Sequence, residues 1–172
     1  MITIKRIDEI DKDLLWTFNV NPNKCVHPEY YSNYLKFQAK LNFQQGLAVT
    51  YFVVDEKNNR IMGFVSLKTS SLLCTSDDNV KIGSPALEIS ILAVDKEYEN
   101  NSVGSNLVKF ALAMATKLKE HVGIKYLLLC SDEKAVDFYC NKRHGFAKID
   151  SFSDIPRENG NINCVPLFVE IK

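Results

Sequence analysis

The hydrophobic positions fall into a recognisable series of elements. "ITIKRI" alternates at period two and predicts a first strand. "DKDLLWTFNV" predicts a short helix with an acidic first turn. "PEYYSNYLKFQAKLNFQQG" places Tyr31, Tyr34, Leu35, Ala39 and Leu41 at mostly helical spacing, and Gly46 could end that helix. "LAVTYFVVDEKNNRIMGFVSLKTSSL" reads as two strands around "EKNN", a hairpin. "PALEISILAVD" is the most strand-like stretch: Leu87, Ile89, Ile91 and Ala93 share one phase, and Glu88, Ser90, Leu92 and Val94 share the other. Val103, Leu107, Phe110, Ala111, Met114, Ala115 and Leu118 mark a long amphipathic helix. "IKYLLLC" is apolar on both faces, as a buried strand is. "EKAVDFYCNKR" predicts another helix, and "GFAKIDSF" and "NCVPLFVEIK" close the chain as strands. The order is β-α-α-β-β-β-α-β-α-β-β, and its central β-α-β implies a parallel pair joined by a right-handed crossover.

Length and composition narrow the class. The 172 residues suit one domain over 1–172 with a sizeable core, 46% hydrophobic and 24% charged. Basic and acidic residues balance at 21 each. That balance argues against a general nucleic-acid binder, which carries a basic surplus. No apolar run approaches a membrane span, and "MITIKRIDEI" lacks the apolar core of a signal peptide. Cys25, Cys74, Cys130, Cys140 and Cys164 are scattered without a C-x-x-C pair, so reduced thiols in a cytoplasmic protein are expected, with no disulfide framework. His27, His121 and His144 show no ligand spacing, and no metal is expected.

Between the strand ending at Val94 and the long helix lies "YENNSVGSNL". A strand, a polar loop and a helix start present backbone N–H groups to an anion, because the first N–H groups of a helix have no internal partner and the helix dipole is positive there. Gly104 gives room for close approach, Ser102 and Ser105 are small, and Asn100 and Asn101 tolerate left-handed backbone. Taken alone, the same letters also describe a plain polar turn with Ser102 as the helix N-cap.

The neighbouring segments carry more. "LAVDKEYENNSVGSNLVKFAL", then "IKYLLLC", "SDEKAVDFY" and "HGF", resemble the GNAT superfamily of N-acetyltransferases over Leu87 to Phe146. The N-terminal half, with "YYSNYLKFQAK" and the hairpin, resembles more loosely the branch that includes toxin-type acetyltransferases acting on aminoacyl-tRNA. The resemblance implies an α/β (α+β) fold with a mixed, mostly antiparallel sheet of six to seven strands, splayed at strand 4 and flanked by about four helices. It implies acetyl-CoA as cosubstrate. Its pyrophosphate would sit on Glu99, Asn100, Asn101, Ser102, Val103, Gly104 and Ser105, its pantetheine arm along Leu92, Ala93 and Val94, and Asp132 would add a weak contact. The family loop reads R/Q-x-x-G-x-G/A. Here Glu99 stands at the Arg/Gln position and Ser102 at the first glycine, while Gly104 keeps the second. An acid there opposes the pyrophosphate, unless it turns to solvent or Lys96 or Lys109 offsets it.

The implied reaction is direct attack of an amine on the thioester in a ternary complex. Glu88 is the candidate base, six residues before Val94 and with a pKa that burial would raise. A backbone N–H at a strand bulge near Leu92 is the implied oxyanion donor. Tyr139, in an A-x-x-x-Y helix, is the candidate acid for the leaving thiolate, although five residues rather than three separate it from Gly-Phe; an extended helix end would absorb them. Cys130 reads as a buried structural thiol and His144 as a turn residue. The acceptor would be a small-molecule or peptide amine, held by Tyr30–Phe37, Leu72–Pro85 and Phe152–Asn163, where Asp77, Asp78, Asp154 and Glu158 suit a cationic amine. Nucleic acid is not expected, tRNA excepted, and a homodimer is left open. Two other readings stand beside the enzyme: a GNAT-fold binding module that senses CoA or docks a protein, and a toxin that acetylates aminoacyl-tRNA.

Overall fold

The computed structural model describes residues 1–75, 77–149 and 164–172. Its strands are β1 (Ile2–Arg6), β2 (Val49–Asp55), β3 (Arg60–Thr75), β4 (Lys81–Val94), β5 (Tyr126–Asp132), β6 (Ala147–Lys148) and β7 (Cys164–Glu170). Its helices are α1 (Lys12–Leu15), α2 (Pro28–Asn33), α3 (Ala39–Gln44), α4 (Val103–Lys119) and α5 (Val136–Tyr139). The strands pair in the order β1-β2-β3-β4-β5-β7-β6. The β1–β2, β2–β3, β5–β7 and β6–β7 pairs are antiparallel and β4–β5 is parallel, so the sheet is mixed and mostly antiparallel as the resemblance implies. A parallel neighbour needs a crossover, and α4 supplies it. The chain divides into two compact units, Met1–Lys68 with Ser90–Lys109 and Thr69–Ile89 with Phe110–Lys172.

The first unit is built on the β1–β2–β3 meander. Its core gathers Phe18, Leu35, Phe52, Ile61 and Phe64, with Ile91 and Ala93 from one phase of β4. Phe18 and Tyr34 flank Phe64 at centroid distances of 5.2 and 6.2 Å. The second helical segment is one run, but its middle, Tyr34–Gln38, is a π turn that the spacing did not foretell. The extra residue lets Tyr34, Leu35 and Ala39 all point inward, and it leaves Leu41, expected on the apolar side, 48% exposed. The Tyr34 hydroxyl is satisfied inside the core, 2.7 Å from Ser66 Oγ and 3.3 Å from Thr50 Oγ1. A buried hydroxyl needs such partners.

The β2–β3 hairpin turns as "EKNN" predicts, with Asn59 at φ 49°. Asp55 organises it: Oδ1 accepts from Lys57 N (3.0 Å) and Asn58 N (3.3 Å), and Oδ2 from Asn58 Nδ2 (2.6 Å). The Asn58 side chain, ahead of the backbone amides, holds the Asp55 carboxyl below its ordinary pKa. A depressed carboxyl contributes stability that is complete above its unfolded pKa of about 3.9 and is lost as pH falls through the folded value.

In the second unit, β4 pairs with β5 from Ala86 with Tyr126 to Ile89 with Leu129. Leu127, Leu128 and Leu129 are buried, which fits a strand apolar on both faces. Leu72, Ala86 and Leu128 form a small core with Tyr126, Ile149 and Phe168 packed against it. The expectation of reduced thiols fails here. Cys130 and Cys164 form a disulfide, with Cα atoms 5.4 Å apart, and Cys130 is exposed rather than a buried thiol. The cause is strand order. The β5–β7 ladder sets Asp132 opposite Cys164 and Cys130 opposite Pro166, so the two cysteines are diagonal neighbours despite a separation of 34. Among the described residues no helix is long and apolar enough to cross a membrane, and no group of His, Cys, Asp and Glu could hold a metal.

The hairpin gives a pH prediction. Asp55→Asn lowers stability by a constant amount between about pH 5 and 7, and that difference shrinks below about pH 4 as the wild-type carboxyl protonates. Urea midpoints across pH test it; a difference independent of pH down to about pH 2 contradicts it.

Candidate active site

The first unit contains the loop after β4. Its geometry begins with Asp95, which is fully buried. Asp95 N donates to Met62 O (2.9 Å), its Oδ1 accepts from Glu97 N (3.0 Å), and its Oδ2 accepts from Asn19 N (2.8 Å). The first bond uses an irregularity in β3. Between Val53–Gly63 and Val54–Ile61 the ladder skips Met62, and the carbonyl of that extra residue is the one that takes Asp95 N. Lys96–Tyr98 then forms a 3-10 turn capped by Asp95. Arg60 pairs with Glu97, and Tyr98 Oη donates to Asp55 Oδ2 (3.3 Å), so the hairpin end holds this turn from the other side. Burial, then the Asp55 charge, pushes the Tyr98 phenol above its ordinary pKa.

The turn is followed by two residues in the left-handed region, Asn100 at φ 63° and Ser102 at φ 59°. The sequence marks Asn100 and Asn101 as tolerant of this conformation; the chain uses Asn100 and Ser102. Ser102, at the first glycine position of the family pattern, therefore adopts a backbone that glycine takes without steric cost. Its carbonyl accepts the first bond of α4, from Asn106 N at 3.0 Å. This is the N-cap position of the polar-turn reading, but with a backbone far from the extended one that caps ordinarily take.

Gly63 on β3 makes this arrangement possible. A Cβ there would lie 2.9 Å from Ala93 O, 2.9 Å from Val103 Cγ1 and 3.1 Å from Leu107 Cδ1. The first turn of α4 and the end of β4 are thus packed against bare backbone. Gly63 does carry a local signal, since a glycine inside the strand "RIMGFVSL" marks close backbone approach.

Glu99 does not turn to solvent, and neither Lys96 nor Lys109 is its partner. Lys24 Nζ lies 2.8 Å from Glu99 Oε2, and Asn21 Nδ2 donates to the same oxygen at 3.2 Å. On β4, Ile91 and Ala93 are buried, while Ser90, Leu92 and Val94 on the other phase are half-buried. Ser90 Oγ donates to Ser66 O (3.2 Å).

The second unit contains the other candidates. Glu88 is buried on β4, opposite Leu128 of β5. Asp132 ends β5 and caps the 3-10 turn Glu133–Ala135, its Oδ1 accepting from Lys134 N at 2.9 Å. Tyr139 is the last residue of α5 and is buried against the rings of Phe138 and Phe146, at 4.8 and 5.8 Å between centroids. Contrary to the expectation of an extended helix end, α5 stops at Tyr139 and the residues up to Gly145 do not lengthen it. Asn141 folds them into a turn: Nδ2 donates to Phe138 O (2.6 Å), and Oδ1 accepts from Arg143 N (2.9 Å) and His144 N (3.1 Å). An Asn side chain competing for backbone groups ends a helix in this way. Gly145 completes the turn at φ 71°, and Phe146 N returns to Tyr139 O at 3.3 Å. His144 is a turn residue, as expected, buried beside Phe138. The expected acceptor stretch 152–163, with Asp154 and Glu158, lies outside the described residues.

These features define the class. Residues 11–146 match the acetyltransferase (GNAT) family, and the chain belongs to it. No curated protein matches the chain. Among solved structures, a mutant of the toxin AtaT bound to the C-terminus of the antitoxin AtaR and acetyl-CoA is similar, with 19% identity over 99% of this chain and 93% of that chain and a TM-score of 0.74. AtaT complexed with acetyl-methionyl-tRNAfMet is 21% identical over 99% and 95% of the two chains, with a TM-score of 0.71. A mutant of KacT is 20% identical over 99% and 95%, with a TM-score of 0.69. At these identities the likeness is one of fold.

Two substitutions probe the loop. Ser102→Gly removes a left-handed non-glycine residue and is expected to raise stability by about 0.5–1 kcal/mol in urea unfolding; a decrease contradicts the strain. Gly63→Ala forces Ala93 O and Val103 apart and is expected to cost about 1–3 kcal/mol in the same assay. A neutral result contradicts the close approach.

Proposed function

We propose that this protein transfers an acetyl group from acetyl-CoA to a primary amine by direct attack within a ternary complex. The observation that carries the reading is the loop Glu99–Ser105, with left-handed Asn100 and Ser102, opening directly into the 17-residue helix α4. Such a start offers N–H groups and the positive end of the dipole to an anion without any basic side chain. The residues fit the cofactor's pyrophosphate, since Ser102 takes a left-handed backbone of the kind glycine favours and the one acid, Glu99, is neutralised by Lys24. In this reading Leu92, Ala93 and Val94 offer main-chain groups to the pantetheine arm, and Asp132 keeps a capping role.

The chemistry asks for two proton transfers. The amine nitrogen forms a bond to the thioester carbonyl carbon, and the C–S bond then breaks. Glu88 takes the proton of the amine, directly or through water, and Tyr139 gives one to the departing thiolate. A phenol of pKa about 10 protonates a thiolate whose conjugate thiol has a pKa of about 8.5 at a cost of about 2 kcal/mol, and only as the C–S bond breaks, because the sulfur of the intact thioester is scarcely basic. Solvent returns the proton to Tyr139.

The acceptor is a primary amine. An aminoacyl-tRNA is the acceptor favoured here, supported by the fold shared with AtaT bound to acetyl-methionyl-tRNAfMet. An α-amino group has a pKa near 7.7–8.0 and demands less of its base than a lysine amine does.

Thiol release from acetyl-CoA with a panel of amines, charged tRNAs included, tests the proposal. Tyr139→Phe is expected to lower kcat by about 10–100-fold with the acetyl-CoA affinity kept within about threefold. Equal background rates for the two proteins, with acetyl-CoA still bound, support a CoA-sensing module instead.

A further inference from the structure

The loop that would hold the cofactor is tied to a segment far away in sequence, Asn19–Lys24. Asn19 N donates to Asp95 Oδ2 (2.8 Å), and Lys96 N donates to Asn19 O (2.8 Å). Two residues on, Asn21 Nδ2 donates to Glu99 Oε2 (3.2 Å). Lys24 Nζ meets that same oxygen at 2.8 Å. Four bonds thus join one short stretch to both ends of the turn Asp95–Glu99. Asn21 also shapes its own stretch: Oδ1 accepts from Asn23 N (3.0 Å), and its carbonyl accepts from Lys24 N (3.1 Å). A single residue, through its carbonyl and its side chain, therefore turns the chain so that Lys24 faces Glu99, and its side-chain amide donates to Glu99 itself.

The burial of the pair is uneven. The Lys24 side chain is 58% exposed and that of Glu99 is 20% exposed. An exposed ion pair contributes little to stability as such. Its value lies elsewhere. Glu99 directly precedes the left-handed residues of the loop, and an unpaired carboxylate there would repel any anion the loop receives. A cation bonded to it cancels that field, and the remaining positive contribution is that of the α4 dipole.

We infer that Asn19–Lys24 is a strap that positions the anion loop, and that Lys24 is the positioning residue that lets an acid stand in it. Lys24 acts through Glu99 rather than by touching the cofactor. The inference rests on the reading that this loop holds the acetyl-CoA pyrophosphate, and the experiment separates the two.

Acetyl-CoA binding is measured by calorimetry for the full chain, Lys24→Met, Lys24→Arg, Glu99→Gln and the Lys24→Met/Glu99→Gln double variant, at low and high salt. Lys24→Met is expected to weaken binding about five- to tenfold at low salt. Lys24→Arg stays within about twofold of wild type, Glu99→Gln binds at least as tightly as wild type because the acid that opposes the anion is gone, and the double variant matches Glu99→Gln because no charge is left to neutralise. An unchanged affinity in Lys24→Met overturns the inference, and so does an equal loss in the Glu99→Gln background. A wild type that binds no acetyl-CoA at millimolar concentration overturns the cofactor reading instead. The strap is then decided by amide hydrogen exchange without ligand. Residues 100–104 exchange faster in Asn21→Ala and Lys24→Met than in wild type; unchanged exchange rejects the strap.

Discussion

Everything at the candidate cofactor loop depends on one close approach, that of Gly63 on β3 to the end of β4 and the first turn of α4. Ala93 O and Val103 Cγ1 would each lie 2.9 Å from a Cβ at that position. Bare backbone on β3 lets the helix start where the strand ends, with no spacer of side chains. The skipped residue Met62, one position earlier, turns its carbonyl to Asp95 N. The irregular strand therefore seats both the strand end and the turn after it. Asp95 extends the anchoring: a fully buried carboxylate is tolerated only with donors on its oxygens, and Glu97 N and Asn19 N provide them.

This anchoring explains how the loop can depart from the glycine-rich pattern of its family. Glycine is preferred where φ is positive because a Cβ clashes there. Ser102 bears that cost at φ 59°, at the head of α4. The acid is handled by charge pairing rather than by exposure. A glycine-poor, acidic loop thus reaches a conformation suited to an anion by borrowing rigidity from its surroundings: Asp55 and Arg60 on the hairpin side, and Asn19, Asn21 and Lys24 on the other.

Much of the fold was legible because it is written in short-range periodicity. The spacing of Val103, Leu107, Ala111 and Ala115 gives α4, and all four are buried. The alternation over Leu87–Ala93 gives β4, and Leu87, Ile89, Ile91 and Ala93 of one phase are buried. The β2–β3 hairpin and the β4–α4–β5 crossover follow from turn residues and element order. What escaped the sequence depends on pairs distant along the chain. Cys130 and Cys164 meet because β7 inserts beside β5, which no spacing rule reveals. Lys24 and Glu99 meet across 75 positions, and Lys24 carries no local signal in "NPNKC". The π turn brings Tyr34, Leu35 and Ala39 to one buried face, again a tertiary demand. Asn141 is the instructive miss. An Asn shortly after an apolar helical run is a stop signal, and Asn141 ends α5 where the spacing alone would extend it.

The central claim is that the backbone of Asn100–Ser105 receives the pyrophosphate of acetyl-CoA. Backbone amide chemical shifts followed during titration with acetyl-CoA address it residue by residue. The account predicts saturable shifts, largest at residues 100–105. Saturable binding that leaves those amides in place while others move, or no shift at millimolar acetyl-CoA, contradicts it.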